Sequence, residues 1–170
     1  MQTVLRSWLS KDLEPLVQLA NNKKIWDQVR DYFPHPYTTK EAKEWLALNV
    51  GITPALNFVI EADGQFAGSI GMVPKTDVYR NNMEIGYWLG EPYWGKGIAT
   101  KAIALMCDVI WKGYPHVNRI YAEVFETNKA SMRVLEKNGF EMECIRKKAV
   151  IKNNMLLDDY VWVKFRSSTS

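Results

Sequence analysis

Cysteine and histidine are nearly missing from this chain of 170 residues, which has two of each. Cys107 and Cys144 fall in periodic apolar segments without a paired spacing, so both read as reduced core residues and not as a disulfide or half a metal centre. His35 and His116 share no ligand spacing, so a metal site has no local support. No apolar run is long enough to cross a bilayer, and the opening MQTVLRSWLSKD has neither a basic lead nor an apolar h-region. The expectation is a cytoplasmic protein without a membrane partner. Charge of one sign is also scarce: 22 Lys and Arg against 19 Asp and Glu leave +3, scattered along the chain, whereas a nucleic-acid partner wants a clustered basic face. Repeats, low-complexity runs and linkers are absent, apart from a polar RSSTS end. The length fits one domain over residues 1–166, with 167–170 a frayed tail.

What is present reads as mixed α and β. TVLRSW is a first strand, and Ser10 caps a helix through about Asn21. Thr38 with Glu41 three residues on is a capping-box spacing, opening a helix through about Asn49. Between them IWDQVRDYFPHPY, aromatic and broken by prolines, reads as an irregular loop. Asp63-Gly64 joins two strands in the strongest short hairpin signal of the chain. NMEIGYWLG is a further strand, with Glu84, Gly86 and Trp88 on the face opposite Met83, Ile85, Tyr87 and Leu89. From Ile98, apolar residues recur at helical spacing through Ile110. RIYAEVF is a strand, NKASMRVLEKNGF a short helix stopped by Asn138 and Gly139, and strands near FEMECIR and DDYVWVKF close the chain.

The stretch GEPYWGKGIAT is one residue away from a nucleotide loop: Gly90, Gly95 and Lys96 match, but Gly97 stands where Ser or Thr should hold magnesium. The dinucleotide fingerprint also fails, since it needs glycine at Thr100. A strand, a turn with two glycines and then a helix still aims several backbone N–H groups at one spot, where the helix dipole favours an anion. An ordinary tight turn and a cradle for another phosphate-bearing ligand both remain open on these residues alone.

Taken together, YWGKGIATKAI and NKASMRVLEKNGF resemble the GNAT superfamily of N-acetyltransferases, with its Q/R-x-x-G-x-G/A motif and a later N-x-x-(A/S) leading to G-F. Trp94-Gly95-Lys96-Gly97-Ile98-Ala99 fits the first motif, with Trp94 in place of Gln or Arg, and Asn128, Ser131, Gly139 and Phe140 fit the second. The order of elements fits over nearly the whole chain, most like the Rim-type branch that acetylates protein N-termini. The resemblance implies an α/β (α+β) fold with a central mixed, mostly antiparallel twisted sheet of about six to seven strands. Helices would cover both faces, and a splayed strand pair would hold acetyl-CoA.

It implies that the anion is the pyrophosphate of acetyl-CoA, cradled from Trp94 through Gly95, Lys96, Gly97, Ile98, Ala99 and Thr100 without a metal, with Trp88 and Leu89 beside the thioester. Acetyl transfer to a primary amine, by direct attack through a tetrahedral intermediate, needs a neutral amine, an oxyanion donor and a proton for the leaving thiolate. Glu84 is the candidate base, as a carboxylate whose pKa an apolar surround would raise, directly or through water; the bland alternative is a solvated surface residue. A backbone N–H near Leu89 is the implied oxyanion donor. Many members carry the acid tyrosine where this chain has Leu135, so Ser131 is the substitute, and Asn128 binds the pantetheine amide, caps its helix, or both. Lys129 and Arg133 are weaker phosphate candidates. Trp26, Tyr32, Phe33, His35 and Tyr37 are candidate walls for the acceptor, a peptide N-terminus or a small molecule. A monomer and a homodimer both remain open. The rival readings are a non-catalytic acyl-CoA-binding or regulatory domain on the same fold, and a magnesium-dependent phosphotransferase resting on the near match alone.

Overall fold

In the computed structural model, which describes residues 1–167, seven strands form one sheet. They are β1 (Thr3–Arg6), β2 (Asn57–Ala62), β3 (Gln65–Pro74), β4 (Asn82–Leu89), β5 (Arg119–Phe125), β6 (Glu141–Lys152) and β7 (Met155–Phe165), in the order β1-β2-β3-β4-β5-β7-β6. The helices are α1 (Leu13–Ala20), α2 (Lys23–Trp26), α3 (Thr39–Asn49), α4 (Ile98–Gly113) and α5 (Lys129–Lys137). The β1–β2, β2–β3, β5–β7 and β6–β7 pairs are antiparallel, and β4–β5 is parallel, as the expected mixed, mostly antiparallel sheet requires. The parallel ladder is short, running from Asn82 opposite Arg119 to Glu84 opposite Tyr121. Residues 168–170, part of the expected frayed tail, lie outside the described residues. No described helix is long and apolar enough to cross a membrane.

The chain divides into two units. The first comprises Met1–Gly71 and Tyr87–Ala102. Its core is Trp8, Leu16, Ala20, Tyr37, Ala42, Leu46, Val59 and Phe66, with Phe33, Trp45 and Trp88 packed against it. Trp8 meets Trp45 edge-on at 5.9 Å and Phe66 at 5.6 Å, offset geometries that aromatic pairs favour. One buried carboxylate sits at its border: Asp12, 1% exposed, accepts two hydrogen bonds from the Arg6 guanidinium at 2.7 and 2.8 Å and a third from the Leu9 N–H. The α3 start is as the sequence predicts, with the Thr38 hydroxyl accepting from the Lys40 N–H and Glu41 from the Thr38 N–H. The hairpin at Asp63-Gly64 is also as expected, both residues having positive φ (47° and 79°), as a type I′ turn demands. Two expectations are corrected. Ser10 opens a 3-10 turn, Ser10–Asp12, and Asp12 stands at the N-cap of α1. The aromatic loop is not wholly irregular, because Asn22 accepts from the Lys24 N–H and starts α2.

The second unit comprises Met72–Gly86 and the chain from Ile103 onward. Ile103, Met106 and Ile110 of α4, Ile120, Ala122 and Val124 of β5, and Met132 and Leu135 of α5 are buried in it. The α4 C-terminus is closed by Arg166, which donates to the carbonyls of Trp111, Tyr114 and Val117 at 2.9–3.0 Å, placing a cation where the helix dipole is negative. α5 ends as expected at a left-handed Gly139 (φ 75°), whose N–H reaches the Glu136 carbonyl. β6 runs longer than the sequence suggests and turns into β7 through Asn153-Asn154, both at positive φ; asparagine tolerates that region, so the turn signal was in the sequence. β6 is the sheet edge and mostly exposed, so Cys144 is an exposed residue and not a core one. Cys107 is buried as expected, and burial pushes its thiol up to about 11. At pH 8 a thiol reagent should therefore modify one cysteine rapidly in the native protein and the second only in denaturant. Cys144→Ser should remove the fast phase; two fast thiols in the wild type would contradict the burial of Cys107.

Candidate functional site

In the first unit, β4 ends against β3 at a place built for close backbone approach. A Cβ on Gly68 would lie 2.2 Å from the Trp88 carbonyl oxygen and 2.9 Å from Leu89 Cα, so only glycine fits. The Gly90 N–H donates to Ala67 O at 2.8 Å, and a 3-10 turn, Glu91–Tyr93, follows. Glu91 accepts from the Asn22 side-chain amide at 2.8 Å and from the Lys24 ammonium, and the Lys24 bond first, then Asn22, holds its carboxyl below the usual range. Trp94, 43% exposed, turns its indole N–H back to the Leu89 carbonyl at 2.8 Å.

Gly95 and Gly97 follow, both left-handed (φ 72° and 75°), and a Cβ on either would meet nothing within 4 Å. They are glycines for their backbone angle, and the space above them is open. α4 then starts, its bonding beginning with the Lys101 N–H on Gly97 O at 3.2 Å, which leaves the first-turn N–H groups of Ile98, Ala99 and Thr100 without an intrahelical acceptor. Such a turn fits a phosphate-bearing ligand. The Ile98 side chain is buried at 1% exposure, so that residue offers only its N–H. The Lys96 ammonium lies 5.9 Å from the centre of the Tyr93 ring.

The five candidate acceptor walls do not form one group. Tyr37 is 5% exposed and belongs to the core, where burial pushes its phenol up to about 12. Phe33 lies between Tyr37 at 5.0 Å and Trp88 at 5.6 Å, so Trp88 is braced by Phe33 and by Phe66 at 6.1 Å. Tyr32 is 97% exposed and projects into solvent. Trp26 and His35 stack on each other at 5.5 Å. The sequence placed all five in one segment but could not tell which rings turn inward.

In the second unit, Glu84 is 8% exposed, which removes the solvated alternative. Its surroundings are not apolar, however: Lys75 Nζ donates to Glu84 Oε2 at 2.6 Å, and the Tyr121 hydroxyl lies 3.4 Å from the same oxygen. The apolar surroundings expected of this carboxyl are corrected to a buried ion pair. For Lys75, burial pulls down but the Glu84 and Tyr121 contacts outweigh it and raise the ammonium. For Tyr121, burial pushes the phenol up, opposed by Lys75. Sequence reading missed both partners. Lys75 lies outside the segments read as strands, and Tyr121 is found only once the register sets it opposite Glu84.

Asn128 caps α5 by accepting from the Ser131 N–H at 3.1 Å, the structural role expected of it. Leu135 is fully buried, so the missing tyrosine is replaced by core packing. Lys129 sits 5.0 Å over the Tyr160 ring, and Arg133 is exposed. Among the described residues no group of three or more His, Cys, Asp or Glu could hold a metal ion.

The sequence profile of the acetyltransferase (GNAT) domain matches residues 2–141. The chain belongs to the GNAT acetyltransferase family. It is similar to the spermidine N(1)-acetyltransferase of Escherichia coli K12, 30% identical over 142 residues that cover 82% of this chain and 73% of that one. In fold it is similar to the GNAT-family acetyltransferase of Bacillus anthracis, with a TM-score of 0.84, 23% identity and coverage of 97% and 95% of the two chains. It is likewise similar to RimL, a ribosomal L7/L12 alpha-N-protein acetyltransferase solved with coenzyme A, with a TM-score of 0.80, 20% identity and coverage of 97% and 94%. This GNAT chain is thus an acetyl-CoA-dependent N-acetyltransferase, and its fold is the one the motifs imply.

In this GNAT fold the contact at Gly68 carries the end of β4. Gly68→Ala should lower stability by about 1–3 kcal/mol, as overpacking does, measured by denaturant midpoint. An unchanged midpoint would mean that β3 and β4 are not in that contact.

Proposed function

We propose that this enzyme acetylates a primary amine, with a peptide or protein N-terminus as the acceptor. The observation that carries the co-substrate half of this reading is the left-handed pair Gly95 and Gly97 ahead of α4. Backbone N–H groups from Gly95 to Thr100 would take the pyrophosphate of acetyl-CoA, which needs no magnesium and so no hydroxyl at position 97. When bound, acetyl-CoA supplies an activated thioester carbonyl. Trp88 and Leu89 would flank the thioester, and the main chain near Leu89 would donate to the developing oxyanion.

Glu84 is the base in this reading. A buried carboxylate with its charge compensated takes the amine proton directly or through a water, and Ser131 donates toward the leaving sulfur. Asn128 has one carbonyl oxygen committed to the helix cap and an amide group with which to meet the pantetheine arm. Trp26 and His35 remain the acceptor-side candidates, with Phe33 and Tyr37 supporting from the core and Tyr32 available only through movement. All of this falls within one acetyltransferase domain.

The N-terminal acceptor is supported by the likeness to RimL. A polyamine acceptor is the second reading, favoured by the similarity to a spermidine acetyltransferase. Against it, Asp27, a carboxylate of the acceptor-side segment, is already engaged by Lys23 at 2.6 Å. A non-catalytic acyl-CoA-binding domain is disfavoured by a buried, charge-compensated Glu84.

Acetyl-CoA should raise the melting temperature, and CoA thiol should appear fastest with peptides beginning Ser or Ala. Release only with spermidine or spermine would establish the second reading, and binding without release to any amine the non-catalytic one. Gly97→Val should weaken acetyl-CoA binding by roughly tenfold or more, because a branched residue resists positive φ and fills the open space above the turn. Unaltered affinity in calorimetry would place the phosphates elsewhere.

A further inference from the structure

The Lys75–Glu84 pair lies within one unit and is fixed from both sides. The Lys75 N–H bonds the Asn82 carbonyl at 3.2 Å, anchoring the lysine backbone on β4 two residues before Glu84. Its ammonium then reaches Glu84 Oε2 at 2.6 Å, with the side chains 29% and 11% exposed, and also faces the Tyr121 ring at 5.7 Å. Tyr121 approaches from β5, in register with Glu84. The other charges around this cluster have partners of their own. Arg119, 4.9 Å over the Tyr121 ring, pairs with Glu143 and donates to Asn82 Oδ1, and Glu123 pairs with Arg146 at 2.8 Å.

We propose that Lys75 is a positioning residue for the proton-transfer step: it holds the Glu84 carboxylate ionised and aimed, so that Glu84 is ready to accept the amine proton. The inference rests on the reading of Glu84 as the base. A carboxylate this buried, without a cation in hydrogen-bond contact, takes up a proton at higher pH, and a protonated carboxyl cannot act as a base. The lysine therefore extends the active pH range downward. Lys75 acts through Glu84 and transfers no proton itself, because its contacts with Glu84 and Tyr121 keep it protonated.

The test compares the wild type with Lys75→Met, Lys75→Gln, Lys75→Arg and Glu84→Gln, each first checked for a cooperative melt. The Glu84 carboxyl is followed by 13C NMR from pH 4 to 9, its resonance assigned by its loss in Glu84→Gln. Turnover is followed over the same range with spermidine and with a peptide beginning Ser. Lys75→Met and Lys75→Gln should move the carboxyl midpoint and the acidic limb of kcat to higher pH, so that kcat at the low end falls about tenfold relative to the alkaline plateau. KM for acetyl-CoA should stay within about twofold, and Lys75→Arg should stay near the wild type. An unmoved midpoint in the neutral variants overturns the role of Lys75, even where Glu84→Gln is inactive. Wild-type turnover in Glu84→Gln overturns the base reading itself and this inference with it. The NMR midpoint reads the ion pair alone, whereas turnover reads its use.

Discussion

The end of β4 must be held without side-chain help from β3, and the two-glycine turn that follows depends on that constraint. Where Trp88 and Leu89 pass Gly68, the strands lie too close for any Cβ. The backbone is then locked on both sides of Leu89, by Trp88 against Gly68 and by the Gly90 N–H on Ala67 O. A loop as glycine-rich as residues 90–97 would otherwise lose much conformational entropy on ordering. Pinning its entry limits that cost to the few residues between Trp94 and α4. The two left-handed glycines then need only reverse the chain, and the first turn of α4 supplies the N–H groups.

Three buried carboxylates among the described residues are each met by a cation. Asp12 is met by Arg6, Asp159 by Arg146, and Glu84 by Lys75. The first two use a guanidinium, whose planar fork suits a fixed structural pairing. The third uses an ammonium, a compact point charge on a flexible stem, which compensates a carboxylate without imposing a bidentate geometry on it. That difference in cation type leaves the Glu84 carboxylate free of the fixed fork geometry that holds Asp12 and Asp159.

Features resting on local sequence were legible: the Thr38 capping box, the Asp63-Gly64 hairpin, the helical spacing after Ile98 and the glycine stop of α5 each follow from residues close in the chain. What failed was non-local. Cys144 sits in an apolar-looking segment, but β6 is the sheet edge, and edge position is a property of strand order. Tyr32 and Tyr37 are alike in composition and near in sequence, yet one is exposed and the other core, because only the second meets Ala42 and Leu46 in the same cluster. Glu84 was found from strand parity and family likeness, but its lysine lies across a turn and its tyrosine on another strand. No periodicity joins those three residues.

Trp94 shows how a departure from a family motif is absorbed. The motif carries Gln or Arg at that position, and either would bring polar side-chain donors to the turn. Tryptophan keeps a single donor, and here it points backward onto the Leu89 carbonyl. That bond satisfies a carbonyl at the end of β4, where the ladder has stopped and no strand partner is guaranteed. The side chain thus braces the turn. The proposed anion site, made of main-chain N–H groups, would tolerate the exchange, because the geometry of the turn is set by the φ angles of Gly95 and Gly97 and by the direction of α4. Lys96, between the glycines, turns its ammonium toward the Tyr93 ring.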